Sequence, residues 1–451
     1  MKKLFVGAFA LTLMMVSACG DDDSSSTTQD APSTSAAVSQ TTTASTSATG
    51  GSTDTEATTS TSGSDGTSGG SQGTGPATGE PIVVGMICAC TGVFAETYNT
   101  VPEVIQAWAD SVNATGGING HPVKVIIKDD GNDPSRALVA VKELVENDRV
   151  VAIVGDNTPT SGSWADYISE KGVPVIAFPS SVPSPTNPNW FPVGPGGIVL
   201  WGAVTPQVAA AGETTMGFPY CAEAPACAQV VDILEAFGTP QGLGVSAIAV
   251  SASATSFTAP CLKMKDDGVD ALLLGLDQNT ATRVLDECIR QGVEAKQYNV
   301  APSYGPAWLT NDKLDGTLLT SFVANFQDSS IAGVKDMQDQ LANYSDLDPT
   351  ELTFNSAVTW AIGKLFEAAA TSANLGPDST PEDVKNALYG LKDETLDGLT
   401  VPLTFEEGKP TVVKCNFLIK LTGGELVSQN NGEPDCLSPE LASIADKLAA
   451  G

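Results

Sequence analysis

Two cysteines stand as Cys88-Ala89-Cys90 at the end of a short apolar run. A pair so spaced suits a local disulfide, a redox couple or a soft-metal site. The chain has a single histidine, His121, inside Gly-Gly-Ile-Asn-Gly-His-Pro, which reads as a turn. Any Ser-His-Asp or Cys-His arrangement would have to use it. A multi-histidine metal centre is excluded. The chain carries no phosphate-loop Gly-Lys-Ser/Thr, no Gly-x-Ser-x-Gly and no His-Glu-x-x-His. Chemistry by carboxylates alone survives these absences, but the expectation is a protein that is not an enzyme and has neither cofactor nor resident metal. The remaining polar chemistry is mostly neutral: Ser, Thr, Asn and Gly, with some carboxylates, cluster after apolar runs, where they offer hydrogen bonds to a small molecule.

Charge narrows the partners. The 451 residues include 22 Lys plus Arg against 53 Asp plus Glu, a formal net charge of −31. Only Arg136, Arg149, Arg283 and Arg290 carry a guanidinium. Nucleic acid needs clustered basic residues and is not an expected partner. The acidic surface instead suits an exported, soluble domain.

The N-terminus reads as an address. Met1-Lys2-Lys3 is followed by an apolar run from Leu4 to Ala18, short for a membrane span and suited to a signal peptide, so 1–18 is expected to be removed. Val16-Ser17-Ala18-Cys19 resembles the bacterial lipobox, which implies cleavage before Cys19 and a lipid on its sulfur. From Gly20 to Glu80, 30 of 61 residues are Ser or Thr and none is aromatic. Such a stretch cannot bury enough apolar surface to offset its entropy. Residues 19–80 are read as a lipidated, disordered tether with a reach of roughly 40–45 Å. The protein is expected at the outer face of the cell membrane, held to the bilayer through Cys19.

The elements that must position the polar clusters begin at Pro81. Apolar runs at Ile82–Ile87, Val123–Ile127, Val150–Val154 and Val173–Phe178 alternate with helical patterns at Thr100–Asn113, after Asp133-Pro134, and around Ser163–Glu170. Asp as N-cap with Pro at the first helical position is a strong start signal. A second series follows: strands at Leu243–Val250, Val269–Leu276 and Tyr298–Ala301, with helices at Thr258–Asp266 and Thr280–Gln291. Helices are predicted at Thr350–Thr371 and Pro381–Tyr389, then strands at Leu403–Phe405, Val412–Leu421 and Glu425–Ser428. Alternation of this kind predicts α/β lobes with mostly parallel sheets. Ligands of such sheets bind beyond the carboxyl ends of the strands.

Ile82–Gly85, then Gly116-Gly117-Ile118-Asn119-Gly120-His121-Pro122-Val123, Lys128-Asp129-Asp130 through Asp133-Pro134, and Val151-Ala152-Ile153-Val154-Gly155 follow in order and spacing. This series resembles the type 1 periplasmic binding proteins of the leucine/isoleucine/valine-binding kind, over roughly 81–437. The resemblance implies two lobes hinged by crossover strands, one about 81–195 plus 324–398, the other about 196–323 plus 399–437, with 438–451 as a C-terminal tail. It implies a receptor that captures a small polar solute between the lobes and delivers it to an ABC import permease. By the same resemblance, first-lobe contacts are Thr91, Gly92, Thr158, Thr160, Ser161, Ser180 and Ser181, whose hydroxyl and N–H groups hold a ligand carboxylate in members that bind amino acids. Val182 stands where such members often carry Thr. That departure leaves an amide, a short peptide or an aromatic acid open beside an amino acid. On the second lobe Tyr220 and Glu223 fall where the family often places a Tyr-containing loop, and Asp277, Gln278 and Tyr304 follow later strands. Trp190 and Phe191 read as core or hinge packing.

Without Cys19 the cysteines number eight, an even set that in an exported protein suggests disulfides. A bridge across the cleft would oppose closure, so pairing within a lobe is expected: Cys221–Cys227, Cys261–Cys288 and Cys415–Cys436, with Cys88 and Cys90 joined to each other or elsewhere in their lobe. Two other functions stay open at this point. The same fold can pass ligand-driven closure to a membrane signalling protein, and Cys88 and Cys90 could serve a thiol oxidoreductase.

Overall fold

The computed structural model describes residues 75–450 apart from Val182 and Ala224. The signal-like segment, Cys19, the Ser/Thr-rich stretch as far as residue 74 and the Val182 position lie outside the described residues. No helix among the described residues is long and apolar enough to cross a membrane.

Five strands form a parallel sheet: β1 (Ile82–Cys88), β2 (Val123–Asp129), β3 (Ile153–Asn157), β4 (Val175–Ala177) and β5 (Trp190–Pro192), in the order β2-β1-β3-β4-β5. Both faces are covered, which is why the strands read as continuous apolar runs. Met86 and Val154 face the helices Val101–Ala114 and Phe354–Ser372, while Ile87, Ile153 and Val175 pack with Ala137, Val141 and Ile168. The Asp133 carboxylate caps the helix Pro134–Lys142 by accepting from the Ser135 and Arg136 amides. Gly363 is required by a close approach: a Cβ there would come within 2.5 Å of the buried Trp108 ring.

The second lobe holds β6 (Thr215–Cys221), β7 (Gly244–Val250), β8 (Ala271–Leu273), β9 (Lys296–Val300), β10 (Leu318–Ser321), β11 (Cys415–Thr422), β12 (Glu425–Ser428) and β13 (Asp435–Cys436). Its order is β12-β11-β10-β9-β8-β6-β7, with β13 beside β11. Strands β6 to β10 run parallel, and β11 and β12 add an antiparallel edge. The strand expected at Leu403–Phe405 is replaced by an isolated bridge between Leu403 and Glu394. Pro402 has no N–H to extend that pairing. Beyond residue 437 the chain forms the helix Pro439–Ala450, whose Leu441 and Ala445 pack with Val199 and Phe237.

The lobes are joined where three segments run side by side. A Cβ on Gly194 would lie 2.7 Å from the Phe322 carbonyl oxygen, Val323 bridges Thr400, and the Ala324 amide donates to the Leu399 carbonyl at 2.9 Å. The disulfides are Cys88–Cys90, Cys221–Cys227, Cys261–Cys288 and Cys415–Cys436. Each joins residues of the same lobe.

Asp156 fastens the end of β3 to its neighbours. It is 1% exposed. Its carboxylate accepts from the Phe178 amide (2.7 Å), the Ser181 hydroxyl (2.5 Å), the Trp190 indole N–H (3.0 Å) and the Ser161 hydroxyl (3.2 Å). Burial pushes its pKa up to about 6, against the downward pull of those four donors. A pKa raised above the unfolded value means that the folded state binds the proton more tightly. The contribution is then full below about pH 4 and is lost as the pH rises through about 6. Urea midpoints of wild type and Asp156→Asn across pH 4 to 7.5 should therefore diverge. Relative to the variant, wild type loses on the order of 3 kcal/mol as the pH rises. Parallel curves would show that Asp156 titrates as an ordinary carboxyl.

Candidate ligand cleft

A cavity of about 460 Å³ opens where the two lobes meet. Thr97, Asn99 and Thr100 line it from the segment leading into the helix Val101–Ala114, and Thr353, Phe354 and Asn355 from the start of the helix Phe354–Ser372. The second lobe contributes Leu276 to Asn279, after β8, and Ala301 to Pro306, after β9. Its volume suits a small molecule, and its second-lobe wall comes from loops at the carboxyl ends of strands.

The lining is rich in hydrogen-bonding side chains. Asp277 is exposed and caps the helix Gln278–Arg290, accepting from the Asn279 and Thr280 amides through Oδ1 alone. The Gln278 side chain lies across Gly305, so closely that a Cβ there would overlap its amide group. Tyr304 is 6% exposed and packs edge-on against Phe354 and Trp308. Burial pushes its hydroxyl up to about 12, so it stays neutral near pH 7. Asn355 is also 6% exposed. Its Nδ2 donates to the Thr97 carbonyl at 3.3 Å, while Oδ1 has no hydrogen-bond partner among the described residues. The ionisable acids of the lining are Asp277 and Glu351, and no Lys or Arg lines it among the described residues.

The cavity brings Asp277, Gln278 and Tyr304 together; the other residues singled out in the sequence stand outside its lining. Thr91 is exposed, and its hydroxyl and amide both donate to Asp129. Burial raises the Asp129 carboxyl, but the Thr91 hydroxyl and the amides of Gly131, Thr91 and Cys90 outweigh it and hold the group below its ordinary range. Gly92 is needed for its backbone, with φ of +80°. The Thr158 and Thr160 hydroxyls donate to the fully buried Asp130 at 2.6 and 2.7 Å. Ser161 and Ser181 are committed to Asp156, and Ser180 is exposed. Tyr220 stacks on Phe218. Glu223 is exposed and accepts from the Ser251 hydroxyl and the Ala252 amide, which hold its carboxyl below the usual range. Sequence reasoning missed Thr97, Asn99, Glu351 and Asn355. The one available signal was the polar Thr353–Ser356 start of an apolar helix, which the structure resolves as a capping box.

Comparison with known proteins agrees with this architecture. The family model described as periplasmic binding protein matches residues 81–425. An "Amino acid binding protein" of Pseudomonas aeruginosa is 29% identical over 107 residues, 24% of this chain and 28% of the relative's length. The alignment thus spans under a third of that relative. Among solved structures, a branched chain amino acid ABC transporter protein of Thermus thermophilus with bound valine superposes with a TM-score of 0.71 at 15% identity, over 82% of this chain and 99% of that one. A fatty acid ABC transporter substrate-binding protein of Thermomonospora curvata gives 0.67 at 20% identity, over 82% and 96%. At such identities the structural likeness speaks for the fold, and the family match spans nearly all of the two-lobed region. The chain belongs to the periplasmic binding protein family, in its type 1 form with two lobes hinged by crossover strands.

Proposed function

We propose that the protein is an extracytoplasmic receptor that captures a small polar solute between its lobes and delivers it to an ABC import permease. The observation that carries this reading is the cavity of about 460 Å³ whose walls come from both lobes, across a three-segment hinge. Closing the hinge would bring Asn99 and Asn355 of one lobe and Asp277 and Gln278 of the other onto one ligand. The ligand selects the closed state by its extra contacts there. Affinity comes from desolvated hydrogen bonds, and no covalent step is involved. The related structures named for valine and for fatty acid transport indicate that this scaffold serves different solutes. The lining, more than the fold, then decides the solute.

Lipid attachment at Cys19 completes the reading. It supplies a membrane anchor while the Ser/Thr tract leaves the lobes free to meet a permease. Expressed in a bacterial host, the wild-type chain should take up labelled fatty acid and partition into detergent. Cys19→Ala should appear in the aqueous phase without label. Equal labelling of both would remove the anchor from this account.

A binding screen tests the receptor itself. A selective ligand at a hundredfold excess over its Kd should stabilise the protein by about 2.7 kcal/mol. It should also reduce the radius of gyration in solution scattering as the hinge closes. Gly305→Ala should weaken that ligand about tenfold, or 1.4 kcal/mol, by displacing Gln278, with the ligand-free melting temperature nearly unchanged. Stabilisation without compaction would argue against hinge closure. An unshifted chain across amino acids, amides, amines, short peptides and organic acids would argue against a receptor role.

A further inference from the structure

The chemistry of the cleft specifies the charge of what it takes. Its ionisable acids, Asp277 and Glu351, have no lysine or arginine beside them in the lining among the described residues. Its buried Asn355 has an amide oxygen without a partner among the described residues. Asp277 uses only one carboxylate oxygen in capping its helix. These groups call for N–H donors and positive charge.

The donors at the loops of the first sheet, outside the cavity lining, are already committed. At the carboxyl ends of the first sheet, the Thr158 and Thr160 hydroxyls donate to Asp130, and the Ser161 and Ser181 hydroxyls to Asp156. The Cys90 and Thr91 amides donate to Asp129, the Thr158 amide to the Asp156 carbonyl, and the Ser181 amide to the Phe178 carbonyl. The protein's own carboxylates occupy the donor array. Burial first, then Asp156 and Asp130, raises the hydroxyl of Tyr98, a residue outside the lining. A ligand carboxylate placed in the cavity would lose its water and meet the like charge of Asp277 and Glu351, with no lysine or arginine in the lining among the described residues to offset it. An ammonium would meet the opposite sign, and the net charge of −31 would draw it in.

We infer that this cavity takes a cationic amine that carries no free carboxylate. The inference rests on the receptor reading and narrows it. Suitable ligands include diamines, amino-acid amides and other compounds whose acid group is masked or missing.

Matched pairs isolate the carboxylate. Titration calorimetry on the full chain would compare leucinamide with leucine, and putrescine with 4-aminobutyrate, at low and at physiological salt. The amine of at least one pair should bind about tenfold or more tightly than its carboxylate partner, with affinity falling as salt rises. Asp277→Asn keeps a good helix cap and should weaken that amine about tenfold. Glu351→Gln, at an exposed position, should weaken it in the same direction. If leucine or 4-aminobutyrate binds as tightly as its partner, or if the amine's affinity ignores both substitutions, the amine assignment is overturned while the receptor reading stands. If none of the four binds at millimolar concentration, the assignment is also overturned. The receptor reading would fall only if the wider panel left the protein unshifted and uncompacted as well.

Discussion

A carboxylate buried in a protein core must find hydrogen-bond donors, and here that requirement organises a whole lobe. Asp156 has almost no contact with water, and it draws donors from the chain after β3, from β4's exit and from the Trp190 side chain of β5. Asp130 and Asp129 do the same for the loops after β1 and β3. Parallel strands buried on both faces leave their backbone ends as the places where polar groups can gather. Three acids at those ends fix the loops that follow β1, β3 and β4. The same acids gather negative charge at the carboxyl ends of the first sheet.

The hinge accommodates that rigidity. Each sheet has its own flanking helices, and the chain crosses between the lobes at the segments around Gly194, Phe322 to Ala324 and Leu399 to Thr400. Closure can therefore move one lobe against the other without disturbing the carboxylate network of the first. The cavity wall is built from chain segments distant in sequence: the Asn355 amide bonds to the Thr97 carbonyl across 258 positions. Contacts of that kind hold the first-lobe side of the cleft together, while Asp277 lines the other side and Tyr304 packs across against Phe354.

This contrast explains what could be read from the sequence. β1, β2 and the helix Thr258–Asp266 emerged because apolar runs and periodicity mark them, and Asp133-Pro134 announced its helix through cap chemistry. β3 was placed too early, because it continues through Gly155, Asp156 and Asn157, residues with no apolar signal. β6 was missed for a related reason: Gly217 and Pro219 depress strand propensity, and only pairing with β7 and β8 on its two sides overrides it. The helix Pro439–Ala450 is short and alanine-rich, and its packing against Val199 and Phe237 is a tertiary fact. At the cleft, Asp277, Gln278 and Tyr304 were legible as loop residues after strands. Asn355 was not, because a single polar residue at the head of an apolar helix looks the same whether it faces solvent, core or ligand.

The disulfides are unevenly shared. Cys221–Cys227, Cys261–Cys288 and Cys415–Cys436 all lie in the second lobe, where they join a strand to a helix, a helix to a helix and a strand to a strand. The first lobe has only Cys88–Cys90, which spans two positions of one turn and ties no distant elements. One half of the molecule is thus secured by covalent bonds that answer to electrons, and the other by buried acids that answer to protons. An oxidising compartment matures the first kind of fastening and does nothing for the second. A shift in acidity does the reverse, so the two halves of the molecule respond to different properties of their surroundings.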